Sequence, residues 1–267
     1  MEAFMTERYE AARITEDTHR LTAYAPLPGL GLLPVNAFVI RAAQPVLVDT
    51  GLAAQRDNFL QALGSVVDPA ELRWIWVTHM DADHIGNLQA VLDAAPDARL
   101  VTTYLGMGKA GLMGLPLERC YLVNPGQSLQ VGDRELLAVK PPVYDAPETT
   151  GLLDRRSGML ISSDSFGALL QTPAEDASEI ERNALREGMQ LWASVDAPWL
   201  QVIDDSRFQA SIDKLAALKP ARLLSSHLPP ADSGMLDTLV ANLKAASAVP
   251  AFVGPDQAQL ELMMAGA

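Results

Sequence analysis

From residue 35 onward, short apolar runs rich in β-branched residues alternate with stretches of helical period, and that order leaves few architectures open. "VNAFVIR" at 35–41 and "PVLVDTG" at 45–51 predict a hairpin turning on "AAQ". "AAQRDNFLQALGSV" then predicts a helix, and "LRWIWVTH" a buried strand that delivers His79 at its C-terminal end. "IGNLQAVLDAA" has the spacing of an amphipathic helix and "ARLVTT" that of another strand. The second half is similar in kind. "QSLQVGDRELLAVKPP" predicts a hairpin at Gly132 and Asp133, and "GMLISSDSFG" a strand running into an acidic loop. Helices are expected around 179–195 and 207–218, then the strand "ARLLSSH" and two helices near 235–247 and 255–265. The pattern is that of a layered α/β protein. No Gly-, Pro- or Ser-rich linker and no short repeat divides it, so a single domain over 1–267 is expected.

Composition narrows the function. With 49% hydrophobic residues in 267, the chain can bury a sizeable core. Its net charge of −13 leaves no positive face for nucleic acid or an anionic membrane. The opening "MEAFMTERYEAAR" lacks a secretion signal's apolar segment, and no stretch approaches the roughly 18 apolar residues of a membrane span. A cytoplasmic location is therefore expected. Cys120 is the only cysteine, which excludes intrachain disulfides and cysteine-rich zinc sites. It is expected to be a small buried hydrophobe.

Three predicted strands end in metal-capable side chains: His79, Asp164 and His227. Strand C-termini are where α/β sheets place their sites. The segment "THMDADHIGN" at 78–87 adds Asp81, Asp83 and His84 within six positions, so one short loop can surround metal ions. Its bland reading is a polar loop with an aspartate as helix cap. Asp145 follows "LLAVKPP", with an Asx-turn as its competing role. Asp49 in "VDTG" is expected to hold loop geometry, and His19, alone of the four histidines, falls outside the scheme.

Taken in order, "VDTG", the loop 79–84, "SSDSFG" and "SSHLPP" resemble the metallo-β-lactamase superfamily over nearly the whole chain. The resemblance implies an αββα four-layer sandwich with a binuclear site along one edge. Its usual hydrolase loop reads His-x-His-x-Asp-His, and here the second histidine is Asp81. A carboxylate there is similar to the flavodiiron proteins and to stand-alone oxygen-binding diiron proteins, which carry His-x-Glu-x-Asp-His. "DAPET" at 145–149 parallels their His-x-Pro-Asp-Ser, with Asp145 in place of histidine. The ligand set this implies is His79, Asp81 and Asp145 on one metal, Asp83, His84 and His227 on the second, and Asp164 bridging. Asp81 is one methylene shorter than Glu, about 1.5 Å less reach.

Four carboxylates neutralise two divalent ions, whereas a histidine-rich hydrolase site stays positive and activates water more strongly. Oxygen-rich ligation favours iron or manganese over zinc. The resemblance thus implies two metal ions, iron first, in a protein that binds, senses or reduces O₂ or NO. A metallo-hydrolase of thioesters, lactones or phosphodiesters is the alternative. No flavodoxin-like segment with its FMN is present in the sequence, so a reductase of this kind needs a separate electron donor. A homodimer through apolar helices such as "LELMMAG" is a further expectation. Trp74 and Trp76 are expected to pack helices, and Met107, Met113, Leu105, Leu112 and Leu115 to form a pliable core or a cover over the site. Tyr144, beside Asp145, is left without a role.

Overall fold

The computed structural model describes residues 8–265. Seven strands form one sheet in chain order: β1 (Glu10–Arg13), β2 (Thr18–Leu27), β3 (Gly31–Ile40), β4 (Val46–Val48), β5 (Trp74–Trp76), β6 (Arg99–Thr102) and β7 (Cys120–Leu122). The first four pair antiparallel, and β4 to β7 run parallel. A second sheet takes β8 (Ser128–Gln130), β9 (Glu135–Val139), β10 (Gly151–Asp154), β11 (Met159–Ile161), β12 (Arg222–Leu224) and β13 (Ala231–Asp232) in the order 13-12-11-10-9-8. All its pairs are antiparallel except β11 with β12.

The helices are α1 (Arg56–Val66), α2 (Ala82–Ile85), α3 (Leu88–Ala94), α4 (Tyr104–Leu112), α5 (Arg182–Asp196), α6 (Asp205–Ala216), α7 (Leu236–Lys244) and α8 (Gln257–Ala265). Side-chain alternation along each strand decides the layers. Val46, Val48, Trp76 and Phe38 point into the space between the sheets, where they meet Leu136, Leu152, Ile161 and Leu224. Leu47, Ile75 and Leu100 point the other way, onto Phe59 and Leu63 of α1 and Val91 and Leu92 of α3. On the far face, Leu160 and Leu223 receive α5, α6 and α7 through Leu185, Met189, Phe208, Ile212 and Leu239. The result is the αββα sandwich. Because "VLV" and "WIW" are buried on both faces, they are continuously apolar, as parallel central strands require.

Several expectations need correction. Trp74 and Trp76 pack between the sheets rather than against helices; Trp76 is fully buried and its indole N–H donates to Thr150 Oγ1 at 3.2 Å. Of the apolar stripe on and after α4, Leu115 packs against the core but Leu105, Leu112 and Met113 are exposed, and the buried face of the helix is made by Gly106 and Ala110. Cys120 begins β7 and is only partly buried. The long β2–β3 hairpin, from Thr18↔Ile40 to Leu27↔Gly31, extends well before residue 35; Gly31 and Pro34 read as strand breakers, yet both are accommodated. His19 lies on β2 as a strand residue. Among the described residues, no helix is long and apolar enough to cross a membrane.

Parallel pairing fixes where the loops go. β4 with β5, and β11 with β12, end side by side, so Asp49, the 78–84 loop, the 162–167 turn and His227 all emerge at one edge of the sandwich. Trp76 is the central filler beneath that edge. Trp76→Ala should cost roughly 3–5 kcal/mol, read as a lower midpoint in urea unfolding; a loss below about 1 kcal/mol would mean the inter-sheet core does not depend on it.

Candidate metal centre

Asp49 organises the first half of the site. It takes a left-handed backbone conformation (φ 59°) at the end of β4, and its carboxylate accepts from Thr78 N–H and Thr78 Oγ1, both at 2.8 Å. The same carboxylate lies 2.8 Å from His84 Nδ1. Thr50 N–H donates to the His84 carbonyl at 2.6 Å, and Gly86 packs so closely on Gly51 and Ala53 that a Cβ there would stand 2.3 Å from their backbone atoms. The loop is thereby locked to the strand beside it.

The second half is held by "SSDSFG". Ser163 (φ 53°) and Phe166 (φ 69°) adopt conformations costly for non-glycine residues, a strain that the surrounding bonds must over-determine. Ser162 Oγ donates to Ser165 O at 2.8 Å, and Ser165 Oγ donates to Val143 O at 2.7 Å, which ties the Asp164 turn to the loop carrying Asp145. Gly167 leaves room for Trp192 and His227, whose Nε1 and Cβ would lie 2.5 and 2.8 Å from an added Cβ. Asn36 on β3 donates to the carbonyls of Ser225 and Leu228, both at 2.9 Å, fixing the His227 loop.

All seven side chains singled out in the sequence come together in overlapping groups at one edge of the sandwich. His79, Asp81 and Asp145 form one group and Asp83, His84 and His227 another, with potential ligand atoms inside each group within 4.8 Å of one another. Asp164 lies between them: its Oδ2 is 3.3 Å from His79 Nε2, and its Oδ1 is 3.1 and 3.3 Å from Nε2 of His84 and His227. The three histidines and Asp164 are buried, whereas Asp145 is open to solvent.

This donor set fits metal ions. His84 Nδ1 faces Asp49, and His227 Nδ1 faces the Pro34 carbonyl at 2.7 Å. Acceptors there put the proton on Nδ1 and turn the Nε2 lone pairs inward, the arrangement that outer partners give to metal-bound histidine. His84 Nε2 is buried with no hydrogen-bond partner. Asp81 stands at the N-cap of α2, yet its side chain caps no backbone N–H. The turn after Asp145 is closed by Thr149, whose N–H and Oγ1 both donate to Ala146 O. The bland roles for Asp81 and Asp145 are thus taken by other groups or left unfilled. Among the described residues no Lys or Arg pairs with Asp81, Asp83, Asp145 or Asp164.

Other residues near the site do different work. Glu148, in the "DAPET" segment, is buried and anchors α4 by an ion pair with Lys109 at 2.6 Å. Tyr144 faces away: its carbonyl accepts from Trp199 Nε1 at 3.0 Å, and Lys140 Nζ sits 3.6 Å over its ring. Asp196, the last residue of α5, was missed in the sequence, although its carboxylate groups with those of Asp145 and Asp164. The available signal was its spacing of four from Trp192, which puts both on one helical face; Trp192 donates to Asp164 O at 3.3 Å.

Without bound cations the charges are unbalanced. Burial, reinforced by nearby carboxylates, pushes Asp145 up to about 6 and Asp196 up to about 8. Burial opposes the charged imidazoles of His84 and His227, but Asp164 and Asp83 outweigh it and raise both above the ordinary histidine value. Burial likewise opposes ionisation of Asp83 and Asp164, and the histidines overcome it and hold both low. In the four raised groups the folded chain binds protons that the unfolded chain has released, so stability falls as pH rises from about 4 through 8. The two depressed carboxylates contribute stability that is lost only below about pH 4. The metal-free protein should therefore melt lower at pH 8.5 than at pH 5.5, by about 2 kcal/mol or roughly 4–8 °C. Divalent metal, which replaces the protons, should abolish the difference. Calorimetry finding a metal-free protein more stable at pH 8.5 would contradict this balance.

Comparison with known proteins agrees with the geometry. The family model for the metallo-beta-lactamase superfamily matches residues 30–227. The nitric oxide reductase of Moorella thermoacetica is 23% identical over 188 residues, covering 70% of this chain and 44% of that protein. The anaerobic nitric oxide reductase flavorubredoxin of Salmonella arizonae is 26% identical over 171 residues, covering 63% of this chain and 36% of that protein. This chain spans less than half the length of these curated relatives. Among solved structures, rubredoxin oxygen:oxidoreductase from Desulfovibrio gigas superposes with a TM-score of 0.80 at 19% identity, over 90% of this chain and 62% of that one. A fragment of the putative diflavin flavoprotein A 5 from Nostoc sp. PCC 7120 gives 0.73 at 16% identity, over 90% and 97%. The chain belongs to the metallo-beta-lactamase superfamily, and its fold is that of the flavodiiron protein core.

Proposed function

We propose that this chain holds a binuclear iron centre that binds or reduces O₂ or NO. The observation that carries the reading is the convergence of two His/Asp groups on the buried, shared Asp164 with no Lys or Arg among the described residues to balance them. His79, Asp81 and Asp145 hold one ion, Asp83, His84 and His227 the other, and Asp164 bridges. When bound, the two irons supply redox chemistry toward a small diatomic ligand. The chain's own residues do the rest. Asp49 and the Pro34 carbonyl orient two imidazoles through their Nδ1 protons. The histidines and Asp164 are buried, and Asp145 is the exposed side from which a ligand would approach. The names of the relatives, among them a nitric oxide reductase and a rubredoxin-oxygen oxidoreductase, support the same chemistry. On this reading electrons come from a separate donor, and the exposed Leu260, Leu262 and Met263 of α8 are candidates for contact between two copies.

Neutrality separates this reading from hydrolysis. Four carboxylates offset two divalent ions, so bound water stays less acidic than at a positive site and hydrolytic turnover of lactones, thioesters and phosphodiesters should be weak. Protein made in iron-replete medium should contain two metal ions per chain, iron or manganese in preference to zinc, and the ferrous form should gain charge-transfer absorption on exposure to O₂. Stoichiometric zinc together with fast hydrolysis and an O₂-inert ferrous form would establish the hydrolase instead.

The bridging role has its own test. Asp164→Ala should lose both ions, whereas His227→Ala should lose one; one full equivalent of metal retained in Asp164→Ala, by elemental analysis after dialysis, would refute the bridge.

A further inference from the structure

Asp196 ends α5, where a helix favours a cation, and no basic residue occupies that last turn. Its Oδ2 is buried without a hydrogen-bond partner. One turn earlier on the same face, Trp192 donates to the Asp164 carbonyl and its ring packs 4.7 Å from that of His227. The face therefore points into the site, and carboxylate oxygens of Asp145, Asp164 and Asp196 lie within 4.8 Å of one another. Three carboxylates so close repel strongly unless protons or metal ions neutralise them. Among the described residues none of the three pairs with Lys or Arg. His84 Nε2, in a side chain only 2% exposed, likewise has no hydrogen-bond partner and stands 3.1 Å from Asp164, so the carboxylate that Asp196 approaches already belongs to a group whose donors await a cation.

We propose that Asp196 is an eighth ligand of the metal centre, supplying a carboxylate oxygen from α5 to the ion held by His79, Asp81 and Asp145. The inference rests on the binuclear reading and deepens it. The first ion would then be held by five side chains, His79, Asp81, Asp145, Asp164 and Asp196. The second has four. Five carboxylates against two divalent ions leave one net negative charge, which strengthens the preference for hard, oxygen-seeking ions over tetrahedral zinc. Asp196 also supplies from a neighbouring helix an anionic donor on the side where Asp145 stands in place of histidine.

The test uses the full chain loaded with manganese(II) alone, with Asp196→Asn and Asp196→Ala beside the wild type. Metal per chain is measured by equilibrium dialysis and elemental analysis, and the pairing of the ions by electron paramagnetic resonance. The wild type should bind two ions and give the spectrum of a coupled pair. Both variants should keep one ion tightly and bind the other at least about tenfold more weakly, with the coupled spectrum replaced by that of an isolated ion at limiting metal. The metal-free Asp196→Asn protein should melt at or above the wild type, because an unpartnered buried carboxylate is removed, and it should gain less in Tm on adding manganese. The near-isosteric Asn variant carries the test if the Ala variant does not fold. Unchanged affinity for both ions and an unchanged coupled spectrum in Asp196→Asn would place Asp196 outside the coordination shell while leaving the binuclear reading intact. A wild type that binds fewer than two ions would overturn both.

Discussion

One buried carboxylate, Asp49, ties the site to the fold. It accepts from two donors of Thr78 at the end of β5 and faces Nδ1 of His84, and it does so from a left-handed backbone position that a β-strand end cannot reach without strain. Through these bonds the register of β4 with β5 becomes the spacing of His79 and His84 in the site. The mirror case lies across the sandwich, where Ser163 and Phe166 take similarly strained conformations and Asp164 emerges between them. Backbone strain is thus stored at both strand ends that carry the site. The hydrogen bonds from Thr78, Ser162, Ser165 and Asn36 hold it there.

The layered core makes that strain affordable in a literal, mechanical sense. Trp76 and Phe38 fill the space between the sheets directly under the site edge, and neither can be displaced without opening a cavity. With the floor rigid, the loops cannot relax the repulsion among their carboxylates by moving apart. Protons or metal ions must neutralise it. In this way a packing constraint becomes an electrostatic one, and the electrostatic one becomes a requirement for cations.

Most of this was legible in the sequence, and the gaps have physical causes. The strands "VLV", "WIW" and "MLI" and the amphipathic helices were readable because burial on one or both faces imposes a simple apolar period. The seven side chains now found together at one edge were readable because they cluster at strand ends. The long β2–β3 hairpin was not, since Gly31 and Pro34 carry turn signals that tertiary pairing overrides. The side of the sheet that Trp74 and Trp76 face was misjudged, because a strand buried on both faces has no polar residue to mark the outside. Asp196 escaped for a different reason. It belongs to a helix from another part of the chain, and only the packing of α5 over His227 brings its carboxylate to the site.

The distribution of charge and exposure also bears on where substitutions can be tolerated. The histidines His79, His84 and His227 are each at most 2% exposed, so an anion in place of any of them would be buried with little solvent to screen it. Asp145 stands at the open side, with its side chain 30% exposed, where water lowers the cost of an added negative charge. If Asp145 stands where the resembled pattern has histidine, it is placed where the penalty of an added negative charge is smallest. The site accordingly grades from the buried imidazoles of His79, His84 and His227 to the more exposed carboxylates of Asp81, Asp83 and Asp145. Without bound ions these carboxylates repel anions; two divalent ions held by the centre offset that charge. On the proposed reading, the barrier to hydrolysis is therefore the weak acidity of water bound at a neutral centre, which applies to uncharged lactones as well as to charged phosphodiesters.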